Sequence, residues 1–139
     1  MTELQITEYL NKNYKMSLKL ADDKFSSYDA ECDEYIVEYK SRRKYYPTKQ
    51  IECLKLFTNF QKAELSHRQF LYVVEDERGL YVFNITRNIS KITRQSMQDL
   101  KLPVNTDFGS SRRITKYTYN LDESLSTVIK KNGTVFDTL

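Results

Sequence analysis

The sequence predicts a mixed α/β fold that opens with an antiparallel meander and closes with a C-terminal β/α extension. Three observations carry that expectation. Apolar residues recur at helical spacing near the start and again from about Lys49 to Glu64. Between those segments lie three short runs rich in strand-forming residues. The remaining order is two strands, a helix and a tail, with no internal repeat and no linker-like stretch.

Each element has its own signal. Thr2 to Asn13 reads as an amphipathic helix capped by Thr2, with Leu4, Ile6, Tyr9 and Leu10 near one face. Met16, Leu18 and Leu20 alternate with Ser17 and Lys19 as a strand, broken by Asp22-Asp23-Lys24. Phe25 to Cys32 and Tyr35 to Ser41 read as two further strands joined by a tight turn at Asp33-Glu34. Tyr46-Pro47-Thr48 stops the sheet, and Thr48 is the expected cap of a helix from about Lys49 to Glu64, with Ile51, Leu54, Phe57 and Phe60 at helical spacing. Phe70 to Glu75 and Leu80 to Ile85 are strands around the turn Asp76-Glu77-Arg78-Gly79. Asn88 to Leu100 reads as a helix, Ile114 to Leu121 has β character, and Asp122 to Lys131 reads as a short final helix capped by Asp122.

The totals fit one domain over 1–139, with a core at about 3–100 and an extension at about 101–139. A chain of 139 residues can bury a core without disulfides or metal staples. Cys32 and Cys53 have neither zinc spacing nor a CxxC pattern and read as reduced thiols of a cytoplasmic protein. The opening MTELQITEYL lacks the apolar core of a signal peptide, and the sequence has no apolar run long enough for a membrane span. His67 is the only histidine, which argues against a histidine-rich metal site. Neither GxGxxG nor a P-loop occurs, which argues against nucleotide cofactors.

A net charge of +3 does not by itself imply a polyanionic partner, but its distribution is uneven. Lys40, Arg42, Arg43, Lys44 and Lys49 follow one another with no acid among them, and Arg112, Arg113 and Lys116 form a second cluster. Such patches attract phosphate backbones, although a solvated surface is the commoner meaning of a basic run.

The two-residue turn sets a register. If Cys32 faces Tyr35, then Asp29 faces Glu38, with Lys40 further along the same face. Facing residues have Cβ atoms roughly 4.5–5.5 Å apart, so the two carboxylates would repel. A divalent cation such as Mg²⁺ offsets that repulsion while keeping waters for chemistry, and a lysine could position an attacking water. A one-residue slip would separate the acids. The competing reading is a solvent-exposed patch held by a simple ion pair.

The stretch YDAECDEYIVEYK, with Asp29 followed by Glu38-Tyr39-Lys40, resembles the motif of the PD-(D/E)XK nuclease superfamily. The resemblance covers roughly Glu3 to Val74 and includes the restriction-endonuclease-like order of helix, three-strand meander, helix and strand. Tyr28 stands where the motif has proline. The resemblance implies that Asp29, Glu38 and the Tyr39 carbonyl hold Mg²⁺ or Mn²⁺. It gives Lys40 the hydrolytic water and charge on the phosphate. It adds an acid of the first helix, for which Glu8 is preferred to Glu3, and a polar helper at Gln50. Arg42, Arg43, Lys44, Lys49, Arg112, Arg113 and Lys116 would then contact nucleic acid, and Tyr45 and Tyr46 could pack on sugars or an unpaired base. The expected function is metal-dependent hydrolysis of phosphodiester bonds, with DNA as the expected substrate and a homodimer as the expected assembly. The alternative is a non-catalytic nucleic-acid- or protein-binding module on the same fold.

Overall fold

The computed structural model describes residues 1–103, 113–131 and 134–135. Its first helix, α1 (Glu3–Tyr14), starts at a capping box. The Thr2 hydroxyl accepts the Gln5 amide, and the Gln5 side chain returns to the Thr2 amide. The meander follows as β1 (Lys19–Leu20), β2 (Ala30–Glu31) and β3 (Tyr35–Ser41). Next come β4 (Thr48–Glu52), α2 (Cys53–Leu65), β5 (Gln69–Glu75), β6 (Gly79–Asn84) and α3 (Ile85–Thr93). The tail contributes β7 (Gln98–Pro103), β8 (Arg113–Asp122), a 3₁₀ turn at Glu123–Leu125, β9 (Ser126–Lys131) and β10 (Thr134–Val135).

These strands form two sheets, one ordered β1-β2-β3-β5-β6-β9-β10 and the other β4-β8-β7. The pair β3–β5 is parallel and places Glu38 beside Tyr72 and Lys40 beside Val74. Both strands are buried on two faces, as central parallel strands require. Ile6 and Leu10 of α1 pack with Val37, Tyr39, Leu71 and Val73 on one side of the large sheet. Ile36, Phe70, Tyr72 and Val74 face the other side, where they meet Leu56 of α2, Ile85 and Ile92 of α3, and Ile51 and Tyr119 of the small sheet. Glu38 therefore projects from a central, enclosed strand into the layer shared with α2.

Several expected boundaries move. The helix expected from Lys49 begins at Cys53, because Lys49 and Ile51 point inward while Thr48, Gln50 and Glu52 point outward in a strand paired with β8. A buried lysine looks polar in a sequence and hides that alternation. The strand expected from Phe25 shrinks to Ala30–Glu31, since Asp23 and Ser26 side chains bond to the amides of Phe25 and Tyr28 and hold a local turn. The strand expected from Met16 begins at Lys19. The helix expected at Asn88–Leu100 starts earlier, capped by the Asn84 side chain on Arg87, and ends at Thr93. Gln98–Pro103 pairs with β8 instead. Asp122 does cap a turn through Ser124, but that turn is short, and Ser126–Lys131 extends as a strand on β6.

Candidate active site

The hairpin between β2 and β3 pairs Glu31 with Ile36 and Ala30 with Val37, so Asp29 and Glu38 are next in register. Asp29 sits where β2 leaves the ladder. Its amide donates to the Val37 carbonyl at 2.9 Å, and its own carbonyl accepts the Ala21 amide at 2.8 Å. Its carboxylate accepts the Tyr39 amide at 2.8 Å. Two backbone bonds and one to its carboxylate thus fix Asp29 beside Glu38.

Glu38 is only 5% exposed. Burial, and after it the nearby Asp29 charge, push its carboxyl up to about 7 against the lowering effect of Lys55. Lys55 Nζ lies 2.8 Å from Glu38 Oε1. Lys55 occupies the third helical position of α2, a place where the helix dipole disfavours a cation.

Strand alternation puts Ile36, Glu38, Lys40 and Arg42 on one face. Burial lowers the Lys40 ammonium, and the charges of Arg42 and Lys55 lower it further, while Glu52 and Glu38 oppose them. The result is a line of carboxylate, ammonium and guanidinium running out of the sheet. Tyr39 points the other way, its hydroxyl 2.8 Å from the Thr7 hydroxyl of α1. Burial pushes the Tyr39 phenol up to about 12. The carbonyls of Tyr35 and Val37 face β2, where they accept from Cys32 and Asp29. By the same alternation the Tyr39 carbonyl faces that edge beyond the end of β2.

Other expected site residues lie elsewhere. Glu8 is exposed. The α1 acid within electrostatic reach of Asp29 is Glu3, whose carboxyl is raised first by burial and then by Asp29. Gln50 lies on β4 rather than on a helix, and its backbone carbonyl accepts the Tyr72 hydroxyl at 3.0 Å. Lys49 does not reach out towards solvent. It is 5% exposed and bonds Asp76 at 2.9 Å and the Tyr46 carbonyl at 2.6 Å, with the Tyr81 and Tyr45 rings 4.1 and 4.4 Å away. Its role is to join β4 to the β5–β6 turn. Tyr45 is also tied inward, through its hydroxyl to Glu123 at 2.7 Å.

Arg42, Arg43 and Lys44 are exposed as the chain leaves β3. Arg42, Lys44, Tyr46, Gln50 and Tyr72 line a cleft of about 390 Å³ at that end of the sheet. Lys116 bonds Glu52 at 3.1 Å. Arg113 belongs to β8, and Arg112 lies outside the described residues.

Residues with no sequence motif complete the surroundings. Asn59 of α2 donates to the Ser27 carbonyl at 3.0 Å, and Lys62 donates to the Ser27 hydroxyl at 2.7 Å. Together they pin the segment leading into Asp29. Asn59 carried a faint signal, a polar residue in the middle of an otherwise apolar helix face. Lys55 carried none until the start of α2 was known.

Among the described residues no group of three or more histidine, cysteine or acidic side chains gathers in a metal-holding arrangement. A divalent cation here would rest on Asp29 and Glu38 with the Tyr39 carbonyl and water. That donor set suits Mg²⁺, which takes oxygen ligands and commonly uses one or two carboxylates. The buried Glu38 carboxylate, repelled by Asp29 and only partly offset by Lys55, fits such an ion.

No protein-family model and no curated protein matches this chain. Among solved structures, the chain is similar to Hjc, a Holliday junction resolvase from the archaeal hyperthermophile Archaeoglobus fulgidus. That similarity spans 86% of this chain and 88% of the other, at 11% identity and a TM-score of 0.49. A likeness at that level carries no argument about activity. No helix among the described residues is long and apolar enough to cross a membrane.

Proposed function

We propose that residues 1–139 form a single nuclease-like unit that hydrolyses phosphodiester bonds in DNA with the help of Mg²⁺ or Mn²⁺ in the cytoplasm. One observation carries this reading: Asp29 and Glu38 converge at the buried end of a ladder, on the strand that also presents Lys40 and Arg42. A bound cation would polarise the phosphate and acidify a water. This chain's residues do the rest. Asp29 and Glu38 hold the cation, with the Tyr39 carbonyl beside them. Asp29 itself stays fixed by the Tyr39 amide. Lys40, depressed by burial and by neighbouring cations, stabilises negative charge on the phosphate and orients the water. Arg42, Arg43 and Lys44 receive the flanking backbone, and the unit acts as a homodimer on two strands.

The test is cleavage of plasmid, single-stranded and branched DNA with Mg²⁺ or Mn²⁺. Wild type should cut, and Glu38→Ala and Lys40→Ala should each lose at least about a hundredfold in rate, in line with removal of a charge-stabilising group. Equal cleavage by the variants, or none by wild type, ends the catalytic reading. One observation favours the alternative of a non-catalytic binding module: Lys55 already neutralises Glu38 at 2.8 Å.

A further inference from the structure

The ion pair between Lys55 and Glu38 is oddly built for a structural one. The Glu38 side chain is 7% exposed, whereas that of Lys55 is 45% exposed. The ammonium therefore comes in from the solvent side and rests on a carboxylate whose other surroundings are protein. The first turn of α2 holds no acid, so the helix dipole disfavours a cation at Lys55, and its ammonium is held there by Glu38, by Glu52 at the N-cap and by Asp29. Lys40 is close enough for the two ammonium charges to repel. The exposure of Lys55, the helix dipole and the Lys40 charge favour opening of the pair, and the acids around Lys55 oppose it. A long, flexible lysine whose side chain is nearly half exposed can swing towards solvent.

The carboxylate that Lys55 holds through Oε1 is also the one a cation would need. A divalent cation on Glu38 would repel the Lys55 ammonium at close range and compete with it for the carboxylate. We propose that Lys55 is a placeholder: it rests on Glu38 Oε1 in the metal-free protein, gives that oxygen up to an incoming divalent cation, and is released to the solvent side, where it contacts a phosphate of bound DNA. This rests on the nuclease reading and makes Lys55 a positioning residue of the same site. It also reconciles the ion pair with catalysis, since the pair keeps two acids together before the metal arrives.

Metal and DNA binding test it without relying on turnover. Mn²⁺ binding is followed by electron paramagnetic resonance on the full chain for wild type, Lys55→Gln, Lys55→Arg and Glu38→Gln. Circular dichroism confirms that each variant is folded. Binding of a fluorescein-labelled DNA duplex with a single-stranded arm is followed by anisotropy at saturating Ca²⁺. Lys55→Gln should bind Mn²⁺ about tenfold more tightly, having lost the competitor, and should bind the DNA several-fold more weakly. Lys55→Arg should bind Mn²⁺ no more tightly than wild type. Unchanged or weakened Mn²⁺ binding by Lys55→Gln, or unchanged DNA binding, overturns the placeholder. The Glu38→Gln arm separates the two levels. If it loses Mn²⁺ binding, the metal site stands whatever Lys55 does. If it binds like wild type, or if wild type binds no Mn²⁺, the reading beneath fails and the placeholder falls with it.

Discussion

Glu38 is the residue on which stability and chemistry pull against each other. Its folded carboxyl is raised to about 7, above the ordinary value of 4.5, chiefly by burial and then by Asp29. The folded state therefore holds a proton through a range where the unfolded chain has released it. The stabilisation from this group is complete below pH 4.5 and is lost as pH rises through about 7. The groups that face it are Asp29 beside it, Lys55 from α2 and Lys40 on its own strand. A shift of this size corresponds to something on the order of 3 kcal/mol. Urea denaturation in the presence of chelator should show wild type losing stability by that order between pH 4.5 and 7.5, while Glu38→Gln stays nearly flat over the same window. A flat wild-type profile would mean that Lys55 holds Glu38 charged throughout. The convergence of Asp29 and Glu38 was legible in the sequence, because a two-residue turn fixes a register by counting. The Lys55 contact was not, because it joins a strand to a helix whose first residue depends on tertiary pairing. The sequence favoured Glu8 over Glu3, but only the docking angle of α1 decides which acid overlooks Asp29, and it is Glu3.

At the scale of elements, α2 does more than cover the sheet. Its first turn supplies Lys55, and its middle and last turn supply Asn59 and Lys62, which grip Ser27 and so set where the chain enters Asp29. That grip matters because the stretch before Ala30 has no ladder of its own and is shaped by local side-chain turns. Asn59→Ala removes a hydrogen bond to a backbone carbonyl from a fully buried position. It should cost about 1–3 kcal/mol in urea denaturation. Cleavage by the folded variant should fall at least about tenfold, because misplacing a reacting group by even ~1 Å is costly. Stability loss with full activity would show that Asp29 is held by β3 alone. The elements themselves divide by how local their signals are. α1, with its capping box, β3, β5 and β6 followed from periodicity and turn residues. β4 and β9 did not, because each is a strand only by virtue of a partner distant in sequence, β8 in one case and β6 in the other.

Across the whole molecule the question is which basic residues a polyanion would meet. A net charge of +3 leaves little long-range attraction, so binding would depend on local clusters. The run from Lys40 to Lys49 looked uniform in sequence, yet the fold divides it by depth. Arg42, Arg43 and Lys44 lie on the exposed strand exit, whereas Lys49 is buried against Asp76 and two tyrosine rings. Lys116 is likewise engaged, with Glu52. Counterion release turns this division into a measurement. Each phosphate contact adds about 0.9 to the slope of log affinity against log salt for duplex DNA and about 0.7 for single strands. Arg42→Ala and Lys44→Ala, titrated by anisotropy across a salt series, should each reduce that slope by close to one contact. Lys49→Met should leave the slope unchanged, while lowering stability because it strands Asp76 in the interior. If Lys49→Met flattens the slope as much as Arg42→Ala does, the buried pair opens on binding and the basic run works as one surface. If none of the three alters it, the polyanion does not approach along the exit of β3, and the cleft beside Tyr46 and Tyr72 needs another explanation.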